Sequence, residues 1–262
     1  MAKAFDVDTG GTLETSLFAW YNHENLTDEF SGGHDLTDLG TLAYNAGKIN
    51  NAADTGASNS SKSLYHNTTD PGFGPANGPA SISMFFNVTT APGSGVEHIL
   101  ANFQSSVSGG TNDIGYVLKY VNQAGVLKLN FARLREGVVW QNSLYTTTLT
   151  VGTWYHIVLT YDGTSVRGYL NNSLVVGPTA YSGNGNIKYG RYIQIFARGG
   201  DAGSSVGNCS SGLADMCGFW TKALSSTEIG DLNNSGNGNA YREQAGGGVV
   251  LPHPTLLTLG VG

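Results

Sequence analysis

Cleavage of a glycosidic bond needs two carboxylates about 5–9.5 Å apart across a sugar. On a strand such acids stand at i and i+2 or i and i+4, on one face of the pleat. The apolar runs of this sequence hold no such pair. Asp28 and Glu29 are adjacent, and neighbours on a strand face opposite ways. No phosphate-binding G-x-x-x-x-G-K-[ST] loop occurs, and the two cysteines, Cys209 and Cys217, give no metal-thiolate spacing. The six histidines are scattered, and His156 reads as a half-buried residue bonded to a neighbouring loop. The chain is read as non-enzymatic. Sugar recognition asks for aromatic faces beside amides. Trp140 with Gln141 and Asn142 is one candidate glycan-binding group, and Tyr116 with Tyr120 is another. Packing of these aromatics within the strands is the alternative.

Those residues must be positioned by strands. Charged residues make up 12% of the 262 residues and glycine contributes 38, which suits short strands joined by tight turns and argues against a helical bundle. A strand is expected at Leu17–Tyr21. Residues 25–60 read as polar and turn-rich. About a dozen β-like runs are spaced along 17–220, between turn residues such as Asp162-Gly163 and Asn171-Asn172. Leu127, Leu129 and Phe131 share one face of a strand. Ile82, Met84, Phe86 and Val88 share a face of another, with Phe85 opposite. Trp154–Tyr161 is nearly all apolar, as in a central strand covered on both sides. One helix is predicted: Ser225 and Glu228 have the spacing of a capping box, and Leu224 with Ile229 that of a hydrophobic staple. Cys217, in phase with Phe219, reads as a small buried hydrophobe, with a Cys209–Cys217 disulfide as the alternative. The pattern predicts an all-β fold with one short C-terminal helix.

Four segments carry a family resemblance. Thr153–Gly163, TWYHIVLTYDG, and the hairpin Val166–Val175 that follows it are similar to paired strands of laminin G-like, concanavalin A-like jelly rolls. Gly212–Ile229 resembles the last core strand and helix of those domains, and Asn45–Gly56 an early segment. Thr55 departs from the family's usual aromatic, and Asn22-His23 from its usual acid. The resemblance implies two antiparallel sheets packed face to face, over 17–240, with 1–16 an N-terminal arm and 241–262 a C-terminal tail. It also implies a place where a structural calcium ion can tie the first and last strands. Asp215 is the best-matched ligand, with Asn22 and Glu24 assisting. No cofactor is otherwise required.

The net charge of −6 and the absence of clustered Lys and Arg speak against nucleic acid or an anionic membrane as partner. No apolar run is long enough to span a bilayer, and no signal peptide is read at the start. A jelly roll without a signal or a catalytic cluster suggests a virion surface component of a bacteriophage (a decoration, fibre or tail-associated protein). Its expected partners are other virion or surface proteins, copies of itself, and host or environmental glycans. The alternative is a bacterial cell-surface or secreted carbohydrate-binding and adhesion module. The uncharged tail 246–262 is expected to act as an assembly element.

Overall fold

The computed structural model describes residues 3–31, 33–56, 62–67, 78–104, 115–135, 138–180, 192–199, 206–207 and 209–244. The strands are β1 (Lys3–Phe5), β2 (Leu17–Tyr21), β3 (Thr37–Leu39), β4 (Ala43–Ala46), β5 (Asn51–Asp54), β6 (Ser63–Asn67), β7 (Ala80–Val88), β8 (Glu97–Gln104), β9 (Gly115–Gln123) and β10 (Val126–Arg135). They continue with β11 (Val138–Thr148), β12 (Trp154–Tyr161), β13 (Ser165–Leu170), β14 (Ser173–Ala180), β15 (Tyr192–Ile195), β16 (Arg198–Gly199), β17 (Val206–Gly207), β18 (Gly212–Trp220) and β19 (Tyr241–Glu243). The one α-helix is α1 (Ser226–Asn233).

Two antiparallel sheets form the domain. One has the order β11-β10-β9-β8-β15-β6-β3, the other β14-β13-β12-β7-β18-β5-β4, with β2 also paired to β18. The predicted alternation holds. Leu127, Leu129, Phe131, Ile82, Met84, Phe86 and Val88 are all buried in the core between the sheets. Phe85 points the other way, into a second apolar cluster with Trp20, Val158, Trp220, Leu224 and Ile229. β12 lies between β7 and β13 and is buried along most of its length, as its composition predicts.

Four short strands arise where the sequence reads as polar turn or as tail. β3, β4 and β5 fall within 25–60 and β19 beyond 240. Thr-Asp-Leu, Ala-Tyr-Asn-Ala and Asn-Ala-Ala-Asp lack β-branched and aromatic runs, so their strand state is imposed by pairing with β6, with each other and with β18.

Residues 3–16, expected as an arm, lie against the domain instead. β1 pairs with β19, Leu13 is fully buried, and its carbonyl accepts from the Trp220 indole at 2.7 Å. The Thr9 amide donates to Asp231 at 2.8 Å and the Thr12 hydroxyl to Glu228 at 2.7 Å. The expected domain limit at 240 cuts through this ribbon, since Tyr241 of β19 packs on Phe5 and Phe30. Residues 245–262, which include the expected assembly tail, lie outside the described residues. Cys209 and Cys217 are both buried and do not form a disulfide.

The helix carries the full capping box: Ser225 Oγ accepts from the Glu228 amide, and the Glu228 carboxylate accepts from the Ser225 amide. Glu228 also meets Thr12 and Lys222, so the cap fastens the N-terminal segment to the helix. Replacing Ser225 with Ala should lower stability by about 1 kcal/mol, within the usual range for a lost N-cap. Equilibrium denaturation checks this, and an unchanged midpoint would count against the cap.

Candidate functional site

β18 pairs with β7 on one edge for nearly its whole length. Its other edge serves two strands in turn. Leu213 and Ala214 pair with β5, and Cys217 to Trp220 pair with β2. A bulge between Asp215 and Gly218 separates the two pairings, and Met216 adopts φ 48° there. Two residues that oppose fewer on the neighbour must leave the ladder. Ala214 and Cys217 remain in the core while Met216 turns to the outer cluster.

Asp215 therefore sits in a seam between strands. Beside it is a cavity of about 140 Å³ lined by Asn22, Glu24, Ile49, Asn50, Asp215, Met216, Ala240 and Arg242. The β4–β5 turn wraps the carboxylate: the amides of Lys48 and Ile49 each donate to Asp215 Oδ2 at 2.9 Å. Gly47 makes that approach feasible. A Cβ there would stand 2.7 Å from Asp215 Oδ2 and 2.6 Å from the backbone of Asn51. Asp215 Oδ1 is buried with no hydrogen-bond partner. Burial pushes the Asp215 carboxyl up to about 7, against the opposing pull of the Ile49 and Lys48 amides, and the charge of Glu24 adds to the rise.

The expected calcium ligands thus come together, and they differ in what they can offer. Asp215 has one uncommitted oxygen, and Glu24 makes only a 3.4 Å contact, from the Asn51 amide. Asn22 is spent elsewhere. Its Oδ1 accepts from the Trp20 indole at 2.7 Å and the Tyr241 amide at 3.3 Å, and its Nδ2 donates to the Tyr241 carbonyl. Its amide ties β2 to β19 and forms a wall of the cavity. A buried, half-satisfied carboxylate beside a second acid suits a hard cation completed by backbone oxygens and solvent. Among the described residues no three His, Cys, Asp or Glu side chains gather around one metal position. Gly47, Lys48 and Ile49 lie within the family-like segment Asn45–Gly56, but nothing in the sequence assigned them to the Asp215 site.

The expected glycan-binding residues fare differently. Tyr116 and Tyr120 are core residues, each almost fully buried, and offer no face to a ligand. On β9 the inward positions are Tyr116, Leu118 and Tyr120. Tyr116 packs on Tyr161, and Tyr120 on Phe86 and His98. Trp140, Gln141 and Asn142 lie on the edge strand β11, with Gln141 opposite Arg133 and Asn142 opposite Ala132. Their side chains lie outside the described residues. His156 is fully interior: its Nε2 meets Ser83 Oγ at 2.9 Å and its ring stacks on Phe85, so its side chain bonds a strand and not a loop.

Residues 56–230 match the concanavalin A-like lectin/glucanases superfamily, and the chain belongs to that family, as a laminin G-like jelly roll. Among solved structures it is similar to domain 4 of a GH43 extracellular arabinanase from Geobacillus stearothermophilus, in complex with arabinotriose. The identity is 18% and the TM-score 0.60, over 82% of this chain and 97% of that one. It is also similar to a chain of botulinum neurotoxin type C, whose cell entry depends on interaction with two ganglioside molecules. There the identity is 12% and the TM-score 0.64, over 86% of this chain and 52% of that one. The binding domain of Paraclostridial Mosquitocidal Protein 1 gives 15% identity and a TM-score of 0.64, over 85% and 53%. This chain spans about half the length of the neurotoxin and mosquitocidal chains. At these identities the likeness is one of fold. No curated protein sequence matches.

The raised Asp215 carboxyl has a pH signature. Its folded value of about 7 lies above the ordinary 3.8, so the protonated form favours the fold. That contribution is present at low pH and is lost as pH rises from about 4 to about 7. In metal-free buffer the melting temperature of the wild type should therefore fall relative to Asp215→Asn across that window. Parallel melting profiles of the two proteins from pH 4 to 8 would contradict the site's electrostatics.

Proposed function

We propose that this domain is a non-catalytic glycan-binding module that carries a structural calcium ion. The observation that carries the binding part is the whole-domain likeness to the arabinanase domain: this fold accounts for nearly all of a domain solved with arabinotriose bound. Family membership and the ganglioside-dependent neurotoxin point the same way. What supports a non-catalytic role is the distribution of acids. The central strands β7, β9 and β12 carry no carboxylate, and Asp215 is engaged by backbone amides. Gly203-Ser204-Ser205-Val206-Gly207 has the spelling of a nucleophile elbow. Such an elbow needs a strand turning into a helix at the serine, whereas Val206 and Gly207 form the short strand β17. No described helix is long and apolar enough to cross a membrane.

The calcium part rests on the orphaned Asp215 Oδ1. Asp215 and Glu24 would hold the ion with nearby backbone oxygens, and its role would be to neutralise two acids at the seam where β18 changes partners. A virion surface or a bacterial cell surface is each a setting for such a module.

Calorimetric titration with arabino-oligosaccharides and ganglioside oligosaccharides, with and without calcium, tests the binding role. Saturable binding without release of reducing sugar is expected. No binding to any of the panel up to millimolar concentration would defeat the reading. Added calcium at neutral pH should raise the melting temperature of the wild type and leave Asp215→Asn unmoved, while an equal rise in both would place the ion elsewhere.

A further inference from the structure

We propose that His34 and His66 form a two-imidazole site for a divalent transition-metal ion of the zinc type. The pair stands apart from the Asp215 cavity and from the glycan reading. His34 lies in the loop before β3, and His66 is on β6, the strand that pairs with β3. The fold brings their rings to a centroid separation of 5.1 Å at an interplanar angle of 80°.

The hydrogen bonds fix the tautomer of each ring. His66 Nδ1 lies 3.0 Å from the carbonyl oxygen of Asp35. A carbonyl can only accept, so Nδ1 carries the proton and Nε2 holds the lone pair. His34 Nδ1 faces Asp28 Oδ2 at 3.2 Å and Ser31 Oγ at 2.9 Å. The Ser31 hydroxyl donates its single proton to Asp28 Oδ2 in a short contact, leaving Oγ to accept from the Gly33 amide and from His34. His34 Nδ1 is then also the protonated nitrogen, and Nε2 again the base. Metal-ligating histidines have this arrangement, with one nitrogen donating to a carboxylate or carbonyl and the other free for the ion.

The surroundings hold both rings in place. The Asp28 side chain is fully buried, and its Oδ1 accepts from the amides of Trp20 and Phe30. Phe18 packs on His34 with ring centres 3.9 Å apart, and Tyr21 donates its hydroxyl to the His34 carbonyl. Burial holds His66 below its ordinary range, so its ring is neutral at physiological pH. Neither Nε2 has a hydrogen-bond partner among the described residues, and both rings are partly open to solvent.

The separation of the ring centres is that expected of two imidazoles on one ion. With Zn–N at about 2.0–2.1 Å and the ring centre about 1.1 Å farther on, two imidazoles at a tetrahedral angle have centres about 5.2 Å apart. Two protein ligands leave the remaining positions to water or to the donor atoms of a bound molecule. Imidazole suits Zn²⁺, Cu²⁺ or Ni²⁺, and the site has little to offer Ca²⁺.

Calorimetric titration of the folded, metal-free chain with zinc chloride at pH 7.5 tests this. One equivalent should bind with a dissociation constant in the micromolar range, undisturbed by excess calcium. His34→Gln and His66→Gln, each confirmed folded by its thermal melt, should each weaken binding by roughly tenfold or more. Affinity should fall as the pH is lowered, because protons compete with the metal for the imidazoles. Nitrogen NMR of the wild type gives a second readout independent of the variants: zinc should shift the Nε2 resonances of these two histidines before any other. Binding no tighter than millimolar (an adventitious ion only), equal affinity in both variants, or zinc-induced shifts at other histidines would each overturn the proposal.

Discussion

One edge of β18 serves two neighbours in turn. β5 pairs with its first residues and β2 with its last, and the ladder to β7 is interrupted where one partner ends and the other begins. The bulge at Asp215 and Met216 is that interruption, and interrupted ladders leave polar groups to be satisfied by other means. Two backbone amides of the β4–β5 turn meet one oxygen of Asp215, and the other oxygen is left facing a cavity. The carboxyl's raised value is the electrostatic mark of that unfinished satisfaction.

The same constraint shapes the outer face of this sheet. Below the bulge, β2 brings Trp20 against Trp220, with ring centres 5.9 Å apart. Gly218 lies between them. A Cβ there would come within 2.4 Å of the Trp220 ring and 2.5 Å of Trp20. The two indoles then anchor what covers them: Trp220 donates to Leu13, and Trp20 to Asn22, which in turn holds Tyr241. The β1–β19 ribbon and helix α1 are thus fastened over the second apolar cluster. Glu228, Asp231 and Asn239 supply the polar ties.

At the far edge of the other sheet, the pairing of β3 with β6 sets His66 beside His34. This edge and the β18 seam use acids in a similar way. In both, a buried carboxylate collects backbone amides and orders a loop. Asp28 completes its set with Ser31 and His34, which holds its carboxyl below the usual range despite burial. Asp215 lacks such partners, and its carboxyl moves the other way. Desolvation raises both acids, and at Asp28 the hydrogen bonds to the charged form outweigh it.

The sequence by itself determined the long strands, the helix and its cap. Period-two alternation in β7 and β10, the apolar run of β12 and the Ser225–Glu228 spacing are local signals, and packing agreed with them. It also pointed to Asp215, through a resemblance in the last core strand. It could not tell which face of β9 is interior. Tyr116 and Tyr120 suit a binding surface or a core equally well, and only the opposing sheet decides. Nor could it show that Asn22 is consumed by Trp20 and Tyr241, partners supplied by different strands. The short strands β3, β4, β5 and β19 have too little intrinsic preference to be seen before their neighbours impose it. The His34–His66 pair lies in a loop and a strand far apart along the chain. Contacts between distant segments are fixed by register and closure of the sheets, and no local pattern records them.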